Sequence, residues 1–385
     1  MKGNWQAIKV GDFVVQASNP VSLVSTETYT LLGMSLEGRG LFVREQKKGS
    51  EIGSKTLNKL ESGHFIYSRL FAWKGAFDYV KDEFDGLYVS DEYPTFKVDE
   101  KKVDVRFLQY YFNQAKTWKA VEQFCIGVTK ASRNRFKEKY FLDFPINLPD
   151  LTYQKQIVIK IEAIINNRNK LFKLKKAQTK DINNLLFSKY TDIIENSEWL
   201  PMKDVAPIIR RPVQIKEESL YPELGIRCFG NGTFHKPALS GLEVGAKKIF
   251  QIKTGDIVFS NVFAWEGGIA VVKEEDNDRY GSHRFISCVA DEEKALAEFL
   301  CYHFLSPNGL EDINACSPGG AGRNKTLGLD KLMKISVPVP SIKLQREFVE
   351  LLQKTNAIKE NHKQTEKELT ELLPSLLDKA FKGEL

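Results

Sequence analysis

The chain writes one stretch twice. Residues 63–75 read GHFIYSRLFAWKG and residues 255–267 read GDIVFSNVFAWEG, 192 positions later (255 − 63). The bounding glycines coincide, as do Ser68 with Ser260 and Phe71-Ala72-Trp73 with Phe263-Ala264-Trp265. The same offset carries Leu32-Gly33-Met34, Gly38-Arg39-Gly40 and Phe42 onto Leu224-Gly225-Ile226, Gly230-Asn231-Gly232 and Phe234. Further on it slips by one, and Leu148-Pro149 with Gln154 are answered by Val339-Pro340 with Gln345. A period this long marks a duplicated domain, because solenoid repeats run to about 20–50 residues. Whatever fold the first half adopts, the second must adopt too.

Each copy reads as a mixed α/β unit followed by a helix. From Trp5 to Val98, short apolar runs alternate with glycine and charge, the pattern of strands and turns. Between Val103 and Gln123, Val105, Leu108, Tyr111, Phe112, Ala115, Trp118 and Val121 fall near helical spacing, so at least one helix packs on the sheet. A polar, basic loop occupies residues 130–139. Residues 141–146 then read as a last extended segment, with Pro145 and Pro149 opposing helix. From Thr152 to Tyr190 there is no glycine or proline, and Ile157, Ile161, Ile164, Leu171, Ile182 and Leu185 recur at threes and fours. One helix of about 58 Å is expected there. Trp199 answers Trp5 and restarts the plan. A last helix from Lys343 to Phe381 carries Phe348, Leu351, Leu352, Ile358, Leu369 and Leu372, interrupted by His362 and Thr365. Neither stripe suits an independent homodimer, but the two helices can cover each other as an antiparallel coiled coil. The expected architecture is therefore α/β (mixed α+β), with domains at 1–150 and 197–341 and helices at 151–196 and 342–385.

Composition excludes several classes. Five cysteines with no CxxC pair argue against a disulfide framework or a zinc site, and they read as reduced thiols. No signal-peptide core and no membrane-length apolar run occurs, so a soluble, cytoplasmic protein is expected. The net charge of +6 is compatible with a polyanion partner but does not demand one. GGAGRNKT (319–326) lacks the Gly-Lys-Ser/Thr ending by which a phosphate loop brings its lysine to the phosphates. Phe229-Gly230-Asn231-Gly232 sits where the first copy has Glu37-Gly38-Arg39-Gly40, so a tight turn explains it better than a methyl-donor loop. No histidines pair at i, i+4, and no nuclease or amino-methyltransferase constellation is present. No catalytic residue, cofactor site or metal site is expected in this chain.

Binding remains. Lys130, Arg133, Asn134, Arg135 and Lys137 in the first copy, and Arg323, Asn324 and Lys325 in the second, are the residue types that clamp phosphates and read base edges. A solvated loop would explain any single such cluster, and recurrence at the same place puts the two readings level. Arg69, Lys74 and Asn261 flank the two tryptophans and are weaker candidates for the same surface. Trp73 and Trp265 could stack on a base, although their apolar neighbours favour packing. Asp91-Glu92 in the first copy faces His283 and Arg284 in the second, so the two domains are not expected to recognise the same thing.

The ordered set of motifs resembles the specificity subunit of type I restriction-modification systems. The resemblance is carried by SRLFAWKGAF (68–77) with FSNVFAWEGG (259–268), by VSDEYPTF (89–96), by PDLTYQKQIV and PSIKLQREFV, and by the terminal LLPSLLDKAFKGEL. It covers the whole chain. It implies that each α/β domain binds one half of a bipartite site in double-stranded DNA. The helices would set the spacing and dock two methyltransferase subunits, through which restriction/motor subunits join. S-adenosylmethionine, ATP and Mg would then be bound by partner subunits, with none in this chain. Two other classes stay open: an orphan two-domain DNA-binding regulator, and a stand-alone DNA-modifying enzyme.

Overall fold

The computed structural model describes residues 4–52, 56–125, 134–319 and 325–384. It divides into two units, residues 1–174 with 363–385 and residues 175–362. Each unit thus contains one α/β domain and one part of each long helix.

In the first unit a five-stranded sheet has the order Pro20–Val21, Leu57–Lys59, Tyr88–Ser90, Thr28–Ser35, Gly40–Lys48. A four-stranded sheet has the order Val14–Ala17, Thr95–Val98, Phe65–Tyr67, Phe77–Tyr79. Gln6–Lys9 pairs antiparallel with Pro145–Leu148, so the entry strand of the domain meets its exit strand. The expected helical stretch is two helices, Val105–Phe112 and Ala115–Gln123. The core is an aromatic cluster: Phe65 stacks on Phe141 at 5.6 Å, and Tyr67 on Phe96 at 5.8 Å. The extended segment expected at 141–146 begins too early. Phe141 and Leu142 end a short helix, Glu138–Leu142, which turns Phe141 into the core, and the strand starts at Pro145.

The second unit repeats the plan with smaller core residues. Its sheets are Thr233–Ser240, Leu220–Ile226, Tyr280–Ser282, Ile249–Gln251, and Ile269–Val271, Ile257–Ser260, Phe285–Cys288. Glu198–Pro201 pairs with Ser336–Val339, reproducing the entry-exit ribbon. Helices Ala297–Leu305 and Pro307–Ala315 pack on the sheet, with Leu300, Phe304 and Ile313 sharing a core with Ile257, Phe259, Ile286 and Cys288. In both units an aromatic ring lies over a cross-strand glycine, Phe42 over Gly33 and Phe234 over Gly225, where any Cβ would collide with the ring.

The central helix runs Leu151–Ile194 and the C-terminal helix Ile342–Ala380. Asp150 begins the first by accepting the Tyr153 amide at 3.0 Å. One turn in, Gln154 is wholly buried: its Nε2 donates to the Pro149 and Lys102 carbonyls at 2.8 and 3.0 Å, and its Oε1 accepts the Asp104 amide at 3.0 Å. Gln345 does the same in the second unit, donating to Pro340 and Lys294 at 2.7 and 2.9 Å and accepting from Leu296 at 2.9 Å. Each helix start is thereby bonded to its own domain.

The helices also meet each other. In the first unit Ile157, Val158 and Ile161 share a core with Leu377 and Ala380. In the second, Ile182, Leu186 and Tyr190 share one with Phe348 and Val349, with Leu351 and Leu352 half-buried against it. The start of each helix therefore lies along the end of the other, which is an antiparallel pair. Tyr190 extends into its domain and its hydroxyl lies 2.5 Å from Nδ1 of His303, a ring that burial pushes down to about 4 and so keeps neutral. Four of the residues expected at the helix contact are exposed instead: Leu171, Leu185, Ile358 and Leu372. Ile164 and Leu369 are half-buried. The contacting seam passes through Arg168, Phe172, Lys175 and Thr179 to Ile182, and then by fours to Leu186 and Tyr190. At 3.6 residues per turn this rotates Leu171 and Leu185 to the outside. Among the described residues no helix is long and apolar enough to cross a membrane.

Buried Leu186 and its exposed neighbour Leu185 should therefore respond differently to truncation. Leu186→Ala is expected to cost about 2–4 kcal/mol of unfolding free energy in denaturant titrations, and Leu185→Ala to stay within about 0.5 kcal/mol of wild type. Equal losses would contradict this seam.

Candidate nucleic-acid interface

In each unit, three segments converge on the repeated Ser-x-x-Phe-Ala-Trp-x-Gly loop. The loop folds back after its strand: Ser68 bonds Ala76 through its amide at 3.0 Å, and Ser260 bonds Gly268 at 2.8 Å. A single 3-10 turn follows, Ala72–Lys74 or Ala264–Glu266, ending on left-handed Gly75 (φ 77) or Gly267 (φ 73). The indole N–H groups are satisfied inside the loop, Trp73 by the Leu70 carbonyl at 3.0 Å and Trp265 by Val262 at 3.1 Å.

The first converging segment is a hairpin tip. Glu37 and Gly38 donate their amides to the Lys74 and Gly75 carbonyls at 2.8 and 2.9 Å, and Phe229 and Gly230 donate to Glu266 and Gly267 at 2.7 and 2.9 Å. The second is the turn containing Glu92 or Arg284, whose carbonyl accepts the amide of Arg69 (3.0 Å) or Asn261 (2.8 Å). The third is the end of the basic loop, where Phe136 donates to the Arg69 carbonyl at 2.9 Å and Leu327 to the Asn261 carbonyl at 2.8 Å. Phe136 and Leu327 thus correspond, 191 residues apart (327 − 136). This sets Lys325 opposite Asn134, one residue off the pairing of Arg323-Asn324-Lys325 with Arg133-Asn134-Arg135 that the sequence suggests.

The charges on this frame differ between the copies. Arg69 is half-buried, bonding the Glu138 carboxylate and the Asp91 carbonyl. Arg135 is exposed but bonds Glu92 at 2.6 Å. Burial alone would raise the Glu138 carboxyl, yet the hydrogen bond and charge of Arg69 hold it below the ordinary carboxylate range. In the second copy Asn261 replaces Arg69 and Arg284 replaces Glu92. His283 and Arg284 are exposed, and no ion pair among the described residues engages either. Lys74 lies over the Trp73 ring, 4.6 Å from its centroid. Glu266 follows Trp265 in the second copy, and there Lys325 supplies the cation from the basic loop, 4.8 Å from the Trp265 centroid and 2.7 Å from Asn314 Oδ1. One cation over one indole is thus built twice from different chain positions.

Of the residues expected from sequence, Arg69, Lys74, Asn134, Arg135, Lys137, Asn261, His283, Arg284 and Lys325 lie on or beside these convergent loops. Lys130, Arg133, Arg323 and Asn324 lie outside the described residues. Phe229 and Arg227 lie on the hairpin tip, which the sequence marks only as a turn; Phe229 is 79% exposed and Arg227 lies over the Phe234 ring. Among the described residues no group of three His, Cys, Asp or Glu side chains is arranged to hold a metal ion.

The family defined by the type I restriction modification DNA specificity domain matches residues 4–181 and again 194–371. The chain belongs to this family. It is a type I restriction-modification DNA specificity subunit with two recognition domains. Its fold is similar to that of the HsdS subunit from Thermoanaerobacter tengcongensis (TM-score 0.60, 16% identity, 99% of this chain and 97% of that one). It is also similar to a chain solved in work on complex assembly and conformational transition of the type I R-M system (TM-score 0.68, 17% identity, 100% and 99% covered). A type I restriction-modification S subunit from M. genitalium matches at TM-score 0.51, with 12% identity over 98% and 96% of the two chains. No curated protein matches the sequence.

Within this family member the Arg69–Glu138 pair acts as a fastening of the first domain. Because Glu138 is depressed in the folded state, its contribution is present above the unfolded carboxyl pKa and lost as pH falls through the folded one. Glu138→Gln is expected to lower unfolding free energy by about 1–2 kcal/mol at pH 7. The gap from wild type should close in acid; a gap that is constant with pH would contradict the pairing.

Proposed function

We propose that each recognition domain reads one half of a bipartite DNA site through its convergent loops, while the two helices dock two methyltransferase subunits and fix the gap between half-sites. The observation that carries this reading is the same loop frame built twice with different charges. A shared frame suits two domains approaching the same polymer, and different side chains on it suit two different base sequences. Arg69 and Arg135 are committed to Glu138 and Glu92, so in the first domain Lys74, Asn134 and Lys137 are the better contacts. In the second, Asn261, His283, Arg284 and Lys325 are available. Lys130, Arg133, Arg323 and Asn324 keep the candidacy their charge and position in the sequence give them. The exposed apolar residues Leu171 and Leu174 of the central helix supply a surface for a methyltransferase subunit.

In this reading the chain is non-catalytic. S-adenosylmethionine, ATP and Mg belong to the methyltransferase and restriction/motor subunits, and the work is done in the cytoplasm. The rigorously purified chain should neither methylate nor cut DNA; activity from it alone would restore the stand-alone enzyme reading. A phosphate contact removed from a DNA interface lowers affinity across sequences and reduces the slope of log K against log salt by about one. Lys325→Ala and Lys74→Ala should each do this in the assembled complex and leave the recognised bases unchanged. Wild-type affinity and slope in both variants would return these loops to solvent-exposed structure.

A further inference from the structure

Phe229 is the most exposed large apolar side chain among the described residues, at 79%. Its backbone is left-handed, φ 60, and so is that of Gly230, φ 65. The Asn231 amide closes the turn on the Cys228 carbonyl. Two successive residues at positive φ make a primed turn, whose first central position favours Asn, Asp or Gly because other side chains crowd the backbone there. The first domain has Glu37 at the same place with φ 59. The frame therefore imposes the conformation, and the second domain fills it with a residue that suits neither the backbone nor water.

The tip is rigidly held. Arg227 donates its amide to Gly232, Phe229 to Glu266 and Gly230 to Gly267. Glu266 directly follows Trp265, which carries Lys325 over its ring. On the other side Arg227 lies 5.0 Å from the Phe234 centroid. A protein-binding patch would be expected to surround such a ring with further apolar surface. Here an exposed aromatic ring stands on a fixed turn of a loop frame that also carries Arg227 and Lys325, and an apolar side chain held beside cations can wedge against a base step of duplex DNA.

Resting on the reading that this end of the domain faces DNA, we propose that Phe229 stacks on a base of the half-site recognised by the second domain. The ring supplies a contact that the first domain, with Glu37 there, does not make. This makes Phe229 an affinity contact of one domain only.

The test uses the complex assembled with its partner subunits and a duplex carrying the site mapped by methylation in cells with the wild-type system. Asn accepts the left-handed conformation, so Phe229→Asn should fold and assemble as well as wild type or better. Its affinity for the duplex should fall about tenfold or more, with an unchanged salt slope because no phosphate contact is lost. Phe229→Trp should stay within a few-fold of wild type. A 2-aminopurine placed at successive positions of that half-site should change fluorescence on binding wild type at one position and not with Phe229→Asn. Wild-type affinity in an assembled Phe229→Asn complex would overturn the stacking role, as would loss of assembly with affinity intact in the assembled fraction, which would mean the ring meets protein. Lys325→Ala separates the two levels of the argument. If it and Phe229→Asn both leave binding unchanged, the DNA-facing reading itself fails; if only Phe229→Asn does, the stacking role alone fails.

Discussion

A buried primary amide that makes three hydrogen bonds to backbone is what ties each recognition domain to a helix. Gln154 and Gln345 each make three bonds to backbone groups of the chain before the helix and of the loop preceding the domain's own helices. A buried amide left unpaired costs about 1–3 kcal/mol, so the bonds hold only if the helix leaves the domain in one direction. Shortening the side chain would orphan the Asp104 or Leu296 amide, and an apolar replacement would orphan two carbonyls as well. The domain and the first turns of its helix therefore behave as one body, and the direction of the helix is a property of the domain.

The other end of each helix is fixed by packing instead. Tyr190 enters the second domain beside His303, Phe299 and Phe348, while Phe381 enters the first beside Phe107 and Tyr111. Between these anchored ends the seam is polar apart from Phe172, with Arg168 and Lys175 on the central helix and Thr179 meeting His362 at 3.3 Å. A polar stretch at a helix contact specifies register at some cost in stability. The apolar side chains of this stretch, Leu171 and Leu174, face outward, which leaves the pair held at its ends and presents apolar surface along its middle.

The duplication made the fold legible. Two copies of one pattern constrain each other, and a motif such as Pro-x-x-x-x-Gln acquires meaning by recurring before two long helices. Side-chain direction was less legible, because apolar residues at threes and fours do not say which of two adjacent leucines turns inward; the contact took Leu186 and left Leu185 outside. The basic residues show the same limit. Arg69 and Arg135 look free in sequence because their acids, Glu138 and Glu92, lie 69 and 43 positions away. Phe229 was hidden for the opposite reason: the glycines around it announce a turn, and nothing in the letters says that the turn raises its one aromatic ring into solvent.

In the proposed division of labour the domains carry the reading and the helices carry the distance. Lengthening both helices together tests it most directly, with four helical residues inserted after Ala177 and four after Lys363, so that the pairing on either side of the Thr179–His362 contact is kept. Four residues add about 6 Å, or one to two base pairs at about 3.4 Å each along a strand. Methylome sequencing of cells carrying this variant should return the wild-type half-sites separated by a gap longer by one or two base pairs. An active variant with an unchanged gap, or with altered half-sites, would contradict the claim.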